Sequence, residues 1–270
     1  MTAPPPPPVE VAGLDTHYGD RHVLKNVSLS VRPGEIFVIM GGSGSGKTTL
    51  LHHLLGLRRP SAGTIRILGE EIGTLPAPRM RALRARLGVA FQSGALLSSL
   101  SVGDNVALPL RENTGLDETT IGIITRLKLE VVALAGCEEM MPAELSGGMI
   151  KRAALARAIA LDPRLLFCDE PTAGLDPVVA AGIDELIVRL RDAMGMSIVV
   201  VTHDLDSAFQ IADRICVLDR GEVLALDTVA TIRASDNERI QNLLNRRIEE
   251  TEIDADAYLD RLMGKKGKRP

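Results

Sequence analysis

The stretch Gly41-Gly42-Ser43-Gly44-Ser45-Gly46-Lys47-Thr48 constrains this chain more than any other. It fills every position of the pattern G-x-x-x-x-G-K-[ST]. Its glycines let the backbone curl so that successive N–H groups converge on one point, an arrangement suited to phosphate oxygens. The pattern carries meaning only between a buried strand and a helix, and both flanks are present. Residues 35–40 form a short continuous apolar run, as in a strand covered on both faces. Residues 48–57 read as an apolar helix whose N-terminal dipole favours an anion. Lys47 is then placed to reach the β- and γ-phosphates of a nucleoside triphosphate and Thr48 to ligate Mg²⁺, with Thr49 beside it among the nucleotide-binding residues.

A second half-site follows. Leu165-Leu166-Phe167-Cys168-Asp169-Glu170 is an apolar strand that ends in two acids. Asp169 is expected to hold the Mg²⁺ shell, and Glu170 to polarise an attacking water as general base. Between the two half-sites, Leu145-Ser146-Gly147-Gly148-Met149 precedes a helical stretch running to residue 160. Ser146, Gly147 and Gly148 can offer a hydroxyl and backbone amides to phosphate, or simply cap that helix.

The rest of the chain reads as a frame for these segments. Its 270 residues allow one large α/β domain with an inserted lobe. Residues 9–18, 25–31, 64–68 and 197–201 read as strands. In residues 25–31, Val27, Leu29 and Val31 share one face. Asp219-Arg220-Gly221 marks a hairpin between residues 214–218 and 222–226. Residues 100–160 are mainly helical, and residues 76–88 carry Arg79, Arg81, Arg84 and Arg86, read as a solvated helix face. His17, His52 and His53 read as structural or solvated. A net charge of -4, 2% aromatics and no Trp argue against nucleic acid as a partner. Three cysteines without close spacing fit a reducing compartment. Residues 1–8 form a proline-rich leader unlike a signal peptide, and no apolar run approaches the ~18 residues that span a bilayer.

In this order the motifs resemble an ATP-binding cassette, or ABC, ATPase. Taken singly, Tyr18 reads as a core tyrosine, Gln92 as a polar loop residue and His203 as a structural histidine. The resemblance gives each a role. Tyr18 resembles the aromatic that stacks on adenine, and Gln92 the Q-loop glutamine that contacts Mg²⁺ and the attacking water. Residues 145–149 resemble the signature motif, residues 173–176 with Asp176 the D-loop, and His203 the switch histidine. Met149 stands where the family has glutamine, and a thioether lacks the amide's donors and acceptor. The implied fold is an α/β P-loop NTPase of ABC type, with an N-terminal antiparallel β lobe, a RecA-like core and an inserted helical lobe. The cassette covers residues 9–228 and its helical lobe about 95–160. Residues 229–270 form a helical extension with a basic end, expected to grip the partner ATPase through residues 248–263. The family's working unit is a head-to-tail homodimer that sandwiches ATP and Mg²⁺ between one P-loop and the other subunit's signature.

The short span between Gln92 and Leu145 leaves no room for a long coiled coil, and the single cassette separates the chain from paired-cassette translation factors. What remains is the detached ATPase of a transporter. The segment from Phe91 to Val102, with Asn105-Val106, Pro109-Leu110-Arg111-Glu112 and the Met-bearing signature, resembles Mla/MCE-type ATPases. That resemblance implies phospholipid as transported substrate and a peripheral position on the cytoplasmic face of the inner membrane. It also implies a membrane permease, a periplasmic MCE lipid-binding protein and a small STAS-domain protein as partners. Another ABC importer or exporter, or a non-transport ABC regulator, is the alternative.

Overall fold

The computed structural model describes residues 6–245. Two β strands open the chain, β1 (Val9–Tyr18) and β2 (Arg21–Val31), followed by β3 (Ile36–Met40) and helix α1 (Lys47–Leu54). Next come β4 (Ala62–Ile67), β5 (Glu70–Glu71), α2 (Ala77–Arg84) and β6 (Leu87–Ala90). A helical block follows: α3 (Val102–Asn113), α4 (Glu118–Val131) and α5 (Gly147–Ala158). The chain then alternates through β7 (Leu165–Asp169), α6 (Pro177–Met194), β8 (Ser197–Thr202), α7 (Leu205–Ile211), β9 (Arg214–Asp219) and β10 (Glu222–Thr228). Two short helices, α8 (Val229–Arg233) and α9 (Glu238–Leu244), close the described part.

The strands form two sheets. An antiparallel sheet has the order β2-β1-β4-β5, and a six-stranded sheet the order β10-β9-β3-β8-β7-β6. In the larger sheet β9, β3, β8, β7 and β6 run parallel, and β10 is an antiparallel edge. The apolar run expected at residues 35–40 lies near its centre, with all five residues of β3 buried. Alternation sends Phe37 and Ile39, with Phe167, Val199, Val201 and Cys216, into one core. That core also holds Leu50, Leu51 and Leu54 of α1 and the inner faces of β1 and β2. Helix α1 therefore leaves the centre of the parallel sheet with its apolar side fixed. The loop before it sits at the carboxyl ends of the strands, where ligands of open α/β sheets bind.

Val27, Leu29 and Val31 are buried on one face as their alternation required. Strand β6 was not expected, because its four residues follow directly on the arginine-rich helix and include Gly88. That glycine has a local cause: a Cβ there would lie 2.5 Å from the Ala158 carbonyl oxygen at the end of α5. Helices α3, α4 and α5 pack on one another as a lobe between β6 and β7. Ser101, Asp117 and Ser146 cap their N-termini with side-chain oxygens.

Residues 1–5 of the proline-rich leader lie outside the described residues, whereas Pro8 is buried and its carbonyl accepts from Leu68 N at 2.9 Å. The chain divides at Ala234 into two units. In the second, Asn237 caps α9. The stretch expected to grip a partner, residues 248–263, lies outside the described residues. Among the described residues, no helix is long and apolar enough to cross a membrane.

Candidate active site

The P-loop has the backbone that its glycines permit. Gly44 and Gly46 hold φ of 75° and 106°, in the left-handed region. Gly41 is required by contact: a Cβ there would lie 2.0 Å from the Leu218 carbonyl oxygen and 2.7 Å from Ser45 Oγ. Lys47 Nζ donates to the carbonyls of Gly41 (2.7 Å) and Gly42 (3.0 Å), so its ammonium closes over the loop. Burial lowers the Lys47 pKa, and the charges of Glu170 and Asp169 oppose that shift. Ser45 Oγ is buried with no hydrogen-bond partner, an orphaned hydroxyl that a bound oxygen would satisfy. Tyr18 lines one cavity of about 260 Å³ with Gly44, Ser45, Gly46, Lys47, Thr48 and Thr49. It is 43% exposed and so is not a core tyrosine. The Arg58 guanidinium covers its ring at 3.6 Å from the centroid.

At the end of β7, Asp169 and Glu170 take different settings. Burial raises the Asp169 pKa and the charge of Glu170 adds to this, while His52, Lys151 and Lys47 oppose it. Glu170 is buried, with φ of 47°. Its backbone N–H donates to the Val201 carbonyl at 2.8 Å. Thr202 Oγ1 donates to one carboxylate oxygen at 3.1 Å, and His203 Nδ1 to the other at 2.8 Å. Both partners come from the end of β8, beside β7 in the sheet. Glu170, expected as general base, and His203, expected as the switch histidine, thus stand in direct contact. Thr202 was missed, because a threonine at a strand end carries no motif signal of its own.

Gln92 is exposed, and it lines a cavity of about 650 Å³ with Phe91, Ser93, Asp169, Ala173 and Gly174. The structure thereby brings the Q-loop and the segment before Asp176 to the acid end of β7. Helix α5 grips this loop from behind. Lys151 Nζ donates to the Gln92 carbonyl at 2.5 Å and to the Glu170 carbonyl at 2.9 Å. Arg157 donates to the carbonyls of Gly94 and Ala95, each at 2.7 Å. Asn105, fully buried, holds Leu97, Leu100 and Ser101 through its amide. Lys151 and Arg157 lie in the helical stretch after the signature, and sequence reasoning gave them no role. The burial of Lys151 and half-burial of Arg157 were the missing information, since long cationic side chains read as solvent-facing by default.

Ser146 and Gly147 are exposed, and Ser146 Oγ accepts from Met149 N at 3.3 Å. Neither residue lines the P-loop cavity or the Q-loop cavity. Gly148 is buried, and a Cβ there would meet Val179 at 2.6 Å. Asp176 caps α6, its Oδ1 accepting from Val178 N and Val179 N at 3.1 Å each.

His53, His17 and His22, outside these motifs, have structural partners. His53 is fully buried; its Nδ1 donates to the Arg58 carbonyl at 3.0 Å, and Nε2 accepts from Thr16 Oγ1 at 2.7 Å. Burial lowers its pKa, in keeping with a neutral ring. His17 stacks on His22 with centroids 4.0 Å apart.

A protein-family model described as "ABC transporter" matches residues 24–173. The chain belongs to the ABC transporter family. It is 44% identical over 236 residues to the "Intermembrane phospholipid transport system ATP-binding protein MlaF" of Haemophilus influenzae, covering 87% of this chain and 89% of that protein. Against the protein of the same name from Escherichia coli K12 the identity is 42% over 237 residues, covering 88% of each. Among solved structures, the dimeric post-hydrolysis state of the ATP-binding cassette MJ0796 with ADP and phosphate aligns at a TM-score of 0.75. It is 31% identical and covers 82% of this chain and 98% of that one. CbiO1 of Clostridium perfringens aligns at 0.78 with 28% identity, over 96% and 99% of the two chains. The antiparallel lobe, parallel core and inserted helical lobe are thus those of an ABC cassette, and the chain is an ATPase of that class.

Proposed function

We propose that this chain is the ATP-hydrolysing subunit of a phospholipid transporter working between inner and outer membranes. In this reading it works at the cytoplasmic face of the inner membrane, bound to a separate permease, with an MCE lipid-binding protein and a STAS-domain protein in the same assembly. The observation that carries the chemistry is the placement of Glu170. Its carboxylate is fixed by Thr202 and His203 beside Asp169, while Lys47 and the P-loop face the same strand ends. The lipid assignment draws support from near full-length similarity to proteins named for intermembrane phospholipid transport.

ATP enters with its phosphates in the P-loop. Lys47 releases the Gly41 and Gly42 carbonyls and meets the β- and γ-phosphates, and Ser45 Oγ gains the partner it lacks. Tyr18 stacks on adenine. Among the described residues, no group of three or more His, Cys, Asp or Glu could hold a metal alone. The hydroxyl of Thr48, the carboxylate of Asp169 and the Gln92 amide fit Mg²⁺, an oxygen-seeking ion that keeps substrate phosphates and waters in its shell. Held there, Mg²⁺ would supply positive charge that offsets the charge of the transferring phosphoryl group. Glu170 accepts the proton of the attacking water, and His203, which holds one oxygen of that carboxylate, aims the other. Ser146, Gly147 and Gly148 of one subunit close on the nucleotide of its partner in a head-to-tail dimer, with Asp176 near the shared boundary. The exposure of Ser146 and Gly147 away from their own P-loop cavity supports that division.

Co-expression with a candidate permease from the same organism, followed by reconstitution in phospholipid vesicles, tests the assignment. The expected result is a stable complex whose ATP hydrolysis drives transfer of labelled phospholipid to an acceptor. A complex that hydrolyses ATP but moves only a soluble solute contradicts the lipid assignment.

A further inference from the structure

The basic segment Arg79, Arg81, Arg84 and Arg86 plays no part in the site described above, and the fold splits it in two. Arg79 and Arg86 both bond Glu70, at 2.9 and 3.2 Å, so their charges are partly neutralised. Arg81 and Arg84 instead line a cavity of about 430 Å³, together with Arg58 and Arg59 from the segment after α1. Nothing in this cavity is shared with the P-loop cavity.

Among the described residues, none of these four arginines has an acidic partner. Two are held in place by neutral groups. Arg58 Nη2 donates to the His17 carbonyl at 3.2 Å while its guanidinium rests on Tyr18, and Arg84 Nη2 donates to the Gly56 carbonyl at 3.0 Å. A carbonyl orients a guanidinium without cancelling its charge and leaves its other N–H donors open. The one acid on the cavity, Glu71, already lies 3.8 Å from Arg66 outside it. Four arginines therefore line one concavity against a single acid, Glu71. Such a group repels itself until an anion enters, and planar guanidinium forks fit phosphate oxygens in pairs. The volume exceeds that of a bare phosphate and falls in the range of small-ligand sites. Ile72 and Met80 add apolar lining for the part of the ligand beyond the phosphate.

We propose that this cavity is a binding site for a phosphate-bearing anion, separate from the nucleotide site. The phosphate belongs either to a soluble phosphate ester or to an anionic phospholipid headgroup, and the test separates the two. Full-length protein is kept saturated with ADP so that the P-loop does not compete. One arm titrates glycerol 3-phosphate by calorimetry. The other measures co-sedimentation with phosphatidylglycerol vesicles against phosphatidylcholine vesicles. Arg81→Glu is compared with Arg79→Glu, the same charge change two residues apart on α2, with circular dichroism as a check on folding. Both side chains are exposed, and only Arg81 lines the cavity. The expected result is that the wild type binds one of the probes. Arg81→Glu should weaken that binding by about tenfold or more, and Arg59→Ala/Arg81→Ala should follow it, since each removes charge-assisted contacts. Arg79→Glu should retain most of it. Binding in the first arm identifies a soluble ligand, and binding in the second a headgroup. The proposal is overturned if the wild type binds neither probe, or if Arg79→Glu and Arg81→Glu lose binding equally, which would mean diffuse surface charge.

Discussion

Replacing Lys151 by Met tests how firmly the helix after residue 146 holds Glu170, the proposed general base. The lysine is buried, and its ammonium joins the Gln92 and Glu170 carbonyls at 2.5 and 2.9 Å. Methionine has nearly the same length and no donor, so both carbonyls lose their partner. A buried polar group left unsatisfied costs about 1–3 kcal/mol. Relief of the ammonium's own desolvation, which lowers the Lys151 pKa, offsets part of that cost. A net loss of about 2 kcal/mol of stability is expected, and for a chain of this size each kcal/mol moves Tm by about 2–4 °C. The kinetic effect should be larger than the thermal one. Glu170 sits at φ 47°, a conformation its neighbours must hold. Without Lys151 its carboxylate drifts, and a displacement of about 1 Å can cost on the order of 10²-fold in rate. The P-loop is untouched, so kcat should fall while KM for ATP stays close to wild type. Lys151→Arg, which keeps donors for both carbonyls, should recover much of kcat. Steady-state ATPase assays and thermal unfolding on the three proteins decide the matter. A Lys151→Met protein with wild-type kcat and Tm refutes the reasoning.

Lys47→Ala should weaken ATP binding strongly, because the ammonium is the loop's one side-chain cation; unchanged affinity by calorimetry would remove it from the phosphate site. Ser146→Arg should leave ATP binding by each subunit intact and abolish hydrolysis, and a homodimer turning over at the normal rate would exclude the sandwich. Asp184 should make stability depend on pH. Burial pushes its carboxyl up to about 6, against the lowering effect of the Ser207 hydroxyl bonded at 2.6 Å. A folded pKa above the unfolded value of about 3.9 gives stability that is full below the lower value and lost as pH rises through the upper one. Urea denaturation between pH 4 and pH 7 should show that slope flattened in Asp184→Asn, and an unchanged slope assigns it to other groups.

The parts of this molecule legible in its sequence are those whose chemistry demands particular residues in consecutive positions. The P-loop needs glycine at Gly41, where a Cβ would strike the Leu218 carbonyl, and at Gly46, which combines a φ of 106° with a close contact to Leu24. The apolar runs of β3 and β7 follow from burial on both faces of a parallel sheet. What stayed hidden depends on contacts between distant segments. Lys151, Arg157 and Asn105 hold the Q-loop from two helices, and nothing in their own sequence neighbourhood marks them as turned inward. The same holds for Thr202, which matters only because β8 lies beside β7. The arginines of α2 read as one solvated face because period alone cannot tell Arg79, paired with Glu70, from Arg81, turned to a cavity.

The central claim is that Glu170, held by Thr202 and His203, is the base that drives hydrolysis. The turnover of Glu170→Gln at saturating ATP tests it most directly. The amide keeps the shape of the side chain and loses its basicity. The account predicts nucleotide binding like that of the wild type, with hydrolysis slower by on the order of 10²–10⁴-fold. Near-normal turnover by Glu170→Gln would contradict it.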